Sequence, residues 1–243
     1  MRRLVVTGDD FGFSREVNRA IAEGYDRGVL TSASLMVGGD AAQEAIASAR
    51  SRPGLAVGLH LVVADGRPTL PASQIPGLVD GTGRFRAGLV RPGLRYQFSR
   101  NARRELEREI AAQLERFSET GLRLAHVDGH HHMHLHPTVL GILLGLADRY
   151  RIPVIRLPAE EFFAALWLDR RAVASKVFSS LVFRLLRRHA RPRLAAAGIA
   201  YAASSPDAMT TLVLGLPLVA ALANWSIADA SVYGSLPLIA ATL

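Results

Sequence analysis

The alternation of short apolar runs with amphipathic stretches constrains this chain most. Residues 3–8 form an apolar run that opens into Gly8-Asp9-Asp10-Phe11-Gly12, which reads as a buried strand entering a polar turn. Ser14 is placed to cap a helix from Arg15, with Val17, Ile21 and Tyr25 on one face and Gly28 closing it. The pattern then predicts strands over 31–37, 55–61, 122–128 and 153–157, and helices over 41–49, 103–120 and 138–150. In the clearest helix, Leu106, Ile110, Leu114 and Phe117 recur at helical spacing with Glu and Arg outside. Residues 64–93, rich in Gly and Pro, read as a long functional loop. Strand following helix in this way argues for a parallel α/β sheet or a (β/α) barrel, in which chemistry gathers at the C-terminal strand ends. Asp9 and Asp10, His60, His130 and Arg156 each fall at such an end, in different units.

Six of the eight histidines lie between His126 and His136, with Asp128 among them. Neutral imidazole and carboxylate are the usual nitrogen and oxygen ligands of Zn, Mn, Fe, Co or Ni. Alternation along a strand would turn His126, Asp128 and His130 to one side. A solvated histidine-rich loop is the plainer reading. An internal run interrupted by Met133 and Leu135, and followed directly by a helix pattern, argues against a tag. An aspartate pair is by itself more often a turn. Here it follows a strand and has distant histidines to meet, so one carboxylate can ligate while the other acts as general base.

Length and composition suit one globular domain. The absence of cysteine excludes disulfides, thiolate zinc sites and cysteine nucleophiles. The first ten residues are too short and too soon acidic for a signal peptide, which makes the cytoplasm the default. A net charge of +8, with Lys176 the only lysine, favours anionic partners without choosing among them. No nucleic-acid module, phosphate loop or Gly-x-Ser-x-Gly elbow is present, so neither nucleic acid nor nucleotide is expected as a partner. Residues 170–193 place Val173, Val177, Leu181 and Leu185 at helical spacing among Arg184, Arg187, Arg188, Arg191 and Arg193. This segment is either a peripheral membrane contact, at the inner membrane surface, or a helix with a solvated basic face.

Thr7-Gly8-Asp9-Asp10-Phe11-Gly12, Thr31-Ser32-Ala33-Ser34, Gly58-Leu59-His60-Leu61 and the run from His126 to His134 together resemble the YdjC family of carbohydrate deacetylases. Ser34-Leu35-Met36-Val37-Gly38, Gly66-Arg67-Pro68 and Ile75-Pro76-Gly77-Leu78-Val79-Asp80 are similar to the branch associated with hopanoid biosynthesis (HpnK). The resemblance implies a TIM-like barrel, complete or incomplete, forming a single domain over 1–243, with 204–243 divergent. It also implies a divalent ion, magnesium before zinc, manganese or cobalt, held by Asp10, His60 and His130. Asp9 would be the base and Arg156 the residue that orients it, with the other histidines around substrate. The implied activity is hydrolytic removal of acetyl from an N-acetylated amino sugar, such as hopanoid-linked N-acetylglucosamine, in a monomer or an oligomer. The family's late histidine, a candidate general acid, has no counterpart, because no histidine follows His189. That departure keeps open a non-catalytic metal- or glycolipid-binding relative. A metal phosphoesterase stands open as well, since such clusters serve both reactions.

Overall fold

The structure is a computed structural model that describes residues 4–157, 173–201 and 210–214. Its centre is a parallel sheet of β1 (Leu4–Phe11), β2 (Ser32–Leu35), β3 (Ala56–Leu61), β4 (Val127–Gly129) and β5 (Thr210–Leu214), in the order β4-β3-β2-β1-β5. The helices are α1 (Arg15–Asp26), α2 (Ala42–Arg50), α3 (Val90–Phe98), α4 (Arg100–Glu119), α5 (Pro137–Tyr150) and α6 (Val173–Ala196). Beyond β4, Val127 bridges Ile155 in parallel and Val154 bridges Ala200. Strands thus follow one another across the sheet in chain order from β1 outward, as in the wall of a barrel. Among the described residues no pairing joins Ala200 to β5, so the architecture shown is an open α/β sheet rather than a closed barrel.

Local chemistry accounts for the elements. Ser14 caps α1 by accepting from the Val17 amide at 3.3 Å, and Val17 and Ile21 are buried on its inner face. The helix ends at Asp26 with Arg27 as its cap, and Gly28 follows because an added Cβ would meet the Gly24 carbonyl oxygen at 2.6 Å. Helix α4 buries Leu106, Ile110, Leu114 and Phe117, the stripe its periodicity predicts. It also buries two polar side chains, and both bind strands or loops. Gln113 bonds the Val62 amide and carbonyl at 3.0 and 2.6 Å, while Glu109 accepts from the Thr69 and Leu70 amides at 2.7 and 2.9 Å.

The bonds of Glu109 and the packing beneath them refine the expectation of a long functional loop over 64–93. Ile75, Leu78, Val79 and Phe85 are buried there, Val79 pairs with Phe85, and α3 begins at Val90. The expected strand over 122–128 contracts to Val127–Gly129, although the Ala125 amide still reaches the Val57 carbonyl at 2.9 Å. That over 153–157 reduces to bridges at Val154 and Ile155, which suffice to seat Arg156 through its amide on the Val127 carbonyl at 3.0 Å.

In α6 the side chains are described from Ser180 onward, so Val173 and Val177 lie outside the described side chains and residues 170–172 outside the described residues. Leu181 and Leu185 are exposed, while Ala190 and Leu194 are buried. The described half of the stripe that reads as apolar in sequence, Leu181 and Leu185, therefore faces outward. Of residues 204–243, only 210–214 are described. Among the described residues no helix is long and apolar enough to cross a membrane.

Candidate metal and hydrolytic site

Two adjacent carboxylates on a regular strand would point to opposite faces. Strand β1 avoids this with a bulge: Gly8 pairs with Ala33 and Phe11 with Leu35, so three steps on β1 match two on β2. Asp10 sits in the bulge at φ 61°, the left-handed region, which an aspartate tolerates better than most residues. Both carboxylates consequently face the same end of the sheet. Asp9 takes a forked grip from Arg156, whose two terminal nitrogens donate to its two oxygens at 2.8 Å each. One oxygen of Asp10 lies 3.2 Å from His60 Nε2 and 3.0 Å from His130 Nδ1.

Behind these groups stands Asp128, fully buried on β4. Its Oδ1 lies 2.7 Å from His60 Nδ1, and its Oδ2 accepts from Ser34 Oγ and from Arg156, both at 2.7 Å. Because the Ser34 proton goes to Asp128, His126 Nε2, 3.0 Å from Ser34 Oγ, is a donor to it. A chain of bonds thus runs from His126 through Ser34 to Asp128, and from there to His60 and Arg156. Holding His60 Nδ1 on Asp128 turns Nε2 toward Asp10, which is the carboxylate–histidine arrangement that orients metal-binding imidazoles.

The electrostatics are set by this packing. Burial would push Asp10 up, but the bonds from His130 and His60 outweigh it and hold the carboxyl well below the usual carboxylate range. Burial likewise opposes charge on His60, yet Asp128 and Asp10 on either side raise it to about 10. Asp128 is also held well below the ordinary value: burial opposes this, but Arg156 and His60 prevail.

The other histidines divide by environment. His134 donates Nε2 to the Arg156 carbonyl at 2.8 Å, and burial lowers it to about 4. His132, also pushed down by burial, stacks edge-on against Phe183. His136 accepts from the Thr138 amide at 3.3 Å and so caps α5, a structural duty. His131 lies 3.5 Å from Asp65. His189 contacts Arg193 at 2.8 Å on the surface, away from the site.

The donor set of Asp10, His60 and His130 fits a divalent ion. Their ligand atoms lie within 4.8 Å of one another, and His60 has its second nitrogen fixed by a carboxylate. Asp9, His60 and Asp128 are equally close, but this second set does not fit, because Arg156 already neutralises both of its carboxylates. The five residues expected from sequence, Asp9, Asp10, His60, His130 and Arg156, are therefore brought together. The sequence reading left Ser34 without a role, and it grouped Asp128 with His126 and His130 on one face without showing that Asp128 anchors His60 and Arg156. Ser34 sits two residues from Ser32 on the same strand face, which is the signal that could have found it. A cavity of about 440 Å³ opens beside His130, lined also by Phe13, Met36, Asp65, Arg67 and Arg84.

Fold and site together define an α/β protein with a histidine–carboxylate centre at the C-terminal ends of parallel strands. The chain belongs to the YdjC family: the family model, described as YdjC-like protein, matches residues 3–218. A carbohydrate deacetylase of Brevibacillus brevis is 45% identical over 152 residues, 63% of this chain and 58% of that protein. Another, from Geobacillus stearothermophilus, is 44% identical over 154 residues, 63% of this chain and 59% of that protein. A chitooligosaccharide deacetylase of Serratia marcescens is 35% identical over 159 residues, 65% of this chain and 60% of that protein. The chain thus spans about three fifths of the length of these curated relatives. A solved structure from Enterococcus faecalis V583, described as a cellobiose-phosphate cleavage protein, shares the fold with a TM-score of 0.59 at 24% identity, over 93% of this chain and 85% of that one.

Proposed function

We propose that the chain is a metal-dependent hydrolase that removes the N-acetyl group from an amino sugar. The observation that carries this is the meeting of Asp10, His60 and His130 beside an Asp9 that Arg156 holds by both oxygens. Asp10, His60 and His130 would hold a divalent ion, which when bound would supply Lewis acidity. Asp9 accepts the proton of the attacking water, and the fork from Arg156 fixes which way its lone pairs point. Asp128 holds His60 and Arg156 at once, so base and ligand keep a constant separation. Two imidazoles with one carboxylate suit zinc, manganese or cobalt at least as well as magnesium, which prefers oxygen donors.

The family resemblance supports magnesium and, through the hopanoid-associated wording of residues 34–38 and 75–80, a lipid-linked N-acetylglucosamine as substrate. It also supports an incomplete TIM-like barrel forming one domain over 1–243, divergent in 204–243. Reversible contact of 170–193 with the inner membrane surface belongs to the same reading, and self-association is compatible with it. Turnover of an N-acetylglucosamine conjugate, assayed with measured metal content beside a phosphomonoester, tests the proposal. Acetate release that a chelator abolishes and added metal restores is expected. Phosphate release alone would make the protein a phosphoesterase, and metal binding without turnover of either would make it a binding protein.

A further inference from the structure

Helix α3 turns Pro92, Gly93 and Tyr96 inward, and Tyr96 donates its hydroxyl to the Val63 carbonyl at 2.6 Å. Its other face carries Val90, Leu94 and Phe98, one turn apart, which are 73%, 55% and 78% exposed, with Leu89 beside them at 40%. Single exposed apolar residues are ordinary, but three on one face of a nine-residue helix, with a fourth at its N-cap, form a patch. The charge along the flanking sequence has one sign. Between Asp80 and Glu105 the sequence contains seven arginines and no acidic residue, and all seven are exposed. Among the described residues none of the seven lies within 4.0 Å of a carboxylate oxygen, whereas Arg15, Arg52, Arg67 and Arg156 do.

We propose that this face of α3, with its flanking arginines, docks on an anionic lipid bilayer. Protruding aliphatic and phenyl groups enter the boundary of the acyl chains while guanidinium groups meet lipid phosphates. A nucleic acid would call for several stacking aromatics, and Phe98 is the one aromatic among these outward residues. The patch is also tied to the candidate site. The Gly88 amide donates to Asp65 Oδ1 at 3.0 Å, and Asp65 and Arg84 both line the cavity beside His130. Docking through α3 therefore sets the cavity near the lipid headgroups. The argument for this surface does not depend on the deacetylase reading.

Co-sedimentation of the full chain with phosphatidylcholine vesicles, with and without phosphatidylglycerol, tests the proposal at low and high salt. Wild type is expected to bind only the anionic vesicles, and less as salt rises. Leu94→Ser/Phe98→Ser should weaken binding about tenfold or more, because each inserted apolar side chain carries a large share of the partition energy. Arg91→Gln/Arg95→Gln should weaken it about 25-fold at low salt, roughly fivefold for each charge. All four side chains are exposed, so thermal unfolding should match wild type, and the two pairs test the surface independently. Absence of binding to anionic vesicles at low salt would overturn the proposal, as would undiminished, wild-type binding by both α3 variants. Loss confined to an Arg184→Gln/Arg187→Gln/Arg188→Gln variant would move the contact to α6 instead. Self-association that Leu94→Ser/Phe98→Ser abolishes, without vesicle binding, would show that a second copy covers the patch.

Discussion

Replacing Arg156 by methionine tests the buried network most severely. The side chain is 3% exposed and makes three charged contacts, two to Asp9 at 2.8 Å and one to Asp128 at 2.7 Å. Hydrogen bonds to charged groups contribute about 1.5–3 kcal/mol each, so their gross sum is about 4–9 kcal/mol. The net loss is smaller for two reasons visible in the structure. Asp9 is partly exposed and can regain water, and Asp128 keeps its bonds from Ser34 and His60. Breaking a buried pair from one side typically costs about 3–5 kcal/mol, and the lower end is expected here. Urea unfolding of metal-free protein, read as the shift in midpoint at constant slope, measures it. Arg156→Lys keeps the charge but cannot hold Asp9 by both oxygens or reach Asp128 as well, so it should recover only part of the loss. A methionine variant within about 0.5 kcal/mol of wild type, or a lysine variant as stable as arginine, would refute the account of Arg156 as the cation that balances both carboxylates.

Asp9→Asn should retain metal and lose about 10²–10⁴ in turnover, the usual cost of removing a general base, while His130→Ala should lose the metal; the reverse result in a metal assay would exchange the two roles. His134 is held near 4 in the folded protein against an ordinary value of 6.5, so the stability it contributes is complete above pH 6.5 and is lost as pH falls toward 4. The loss over that window amounts to about 3 kcal/mol, and His134→Gln, which keeps a donor for the Arg156 carbonyl, should flatten unfolding free energy against pH there; an unchanged slope would contradict a buried neutral imidazole. Gly58→Ala should destabilise by about 1–3 kcal/mol, because an overpacked ring must move, and should disturb His126 in a histidine NMR titration. An added Cβ would stand 2.4 Å from His126 Cε1, so a variant with wild-type stability would show that the ring has room that the packing denies.

The sequence by itself determined the strand-and-helix alternation and the placing of polar residues at strand ends. Apolar runs of five or six residues and helical stripes such as Leu106-Ile110-Leu114-Phe117 are local periodicities, legible without knowing any neighbour. Asp10, His60 and His130 could be named as candidate ligands because motifs in three units resemble one family, and because strand ends in such folds converge. Tertiary structure decided the rest. The bulge that aims both Asp9 and Asp10 at one site arises from the pairing of β1 with β2, which no local pattern encodes. Asp128 joins His60, Ser34 and Arg156 across separations of 68, 94 and 28 residues, so its role exists only once β2, β3 and β4 lie side by side. The loop over 64–93 is packed because Glu109, a polar residue on a helix face, binds the Thr69 and Leu70 amides from within the core, while Gln113 holds the backbone of Val62 just ahead of it. Which face of α3 or α6 meets solvent was likewise set by what packs beneath it, since both faces carry apolar residues and amphipathicity alone does not choose between them.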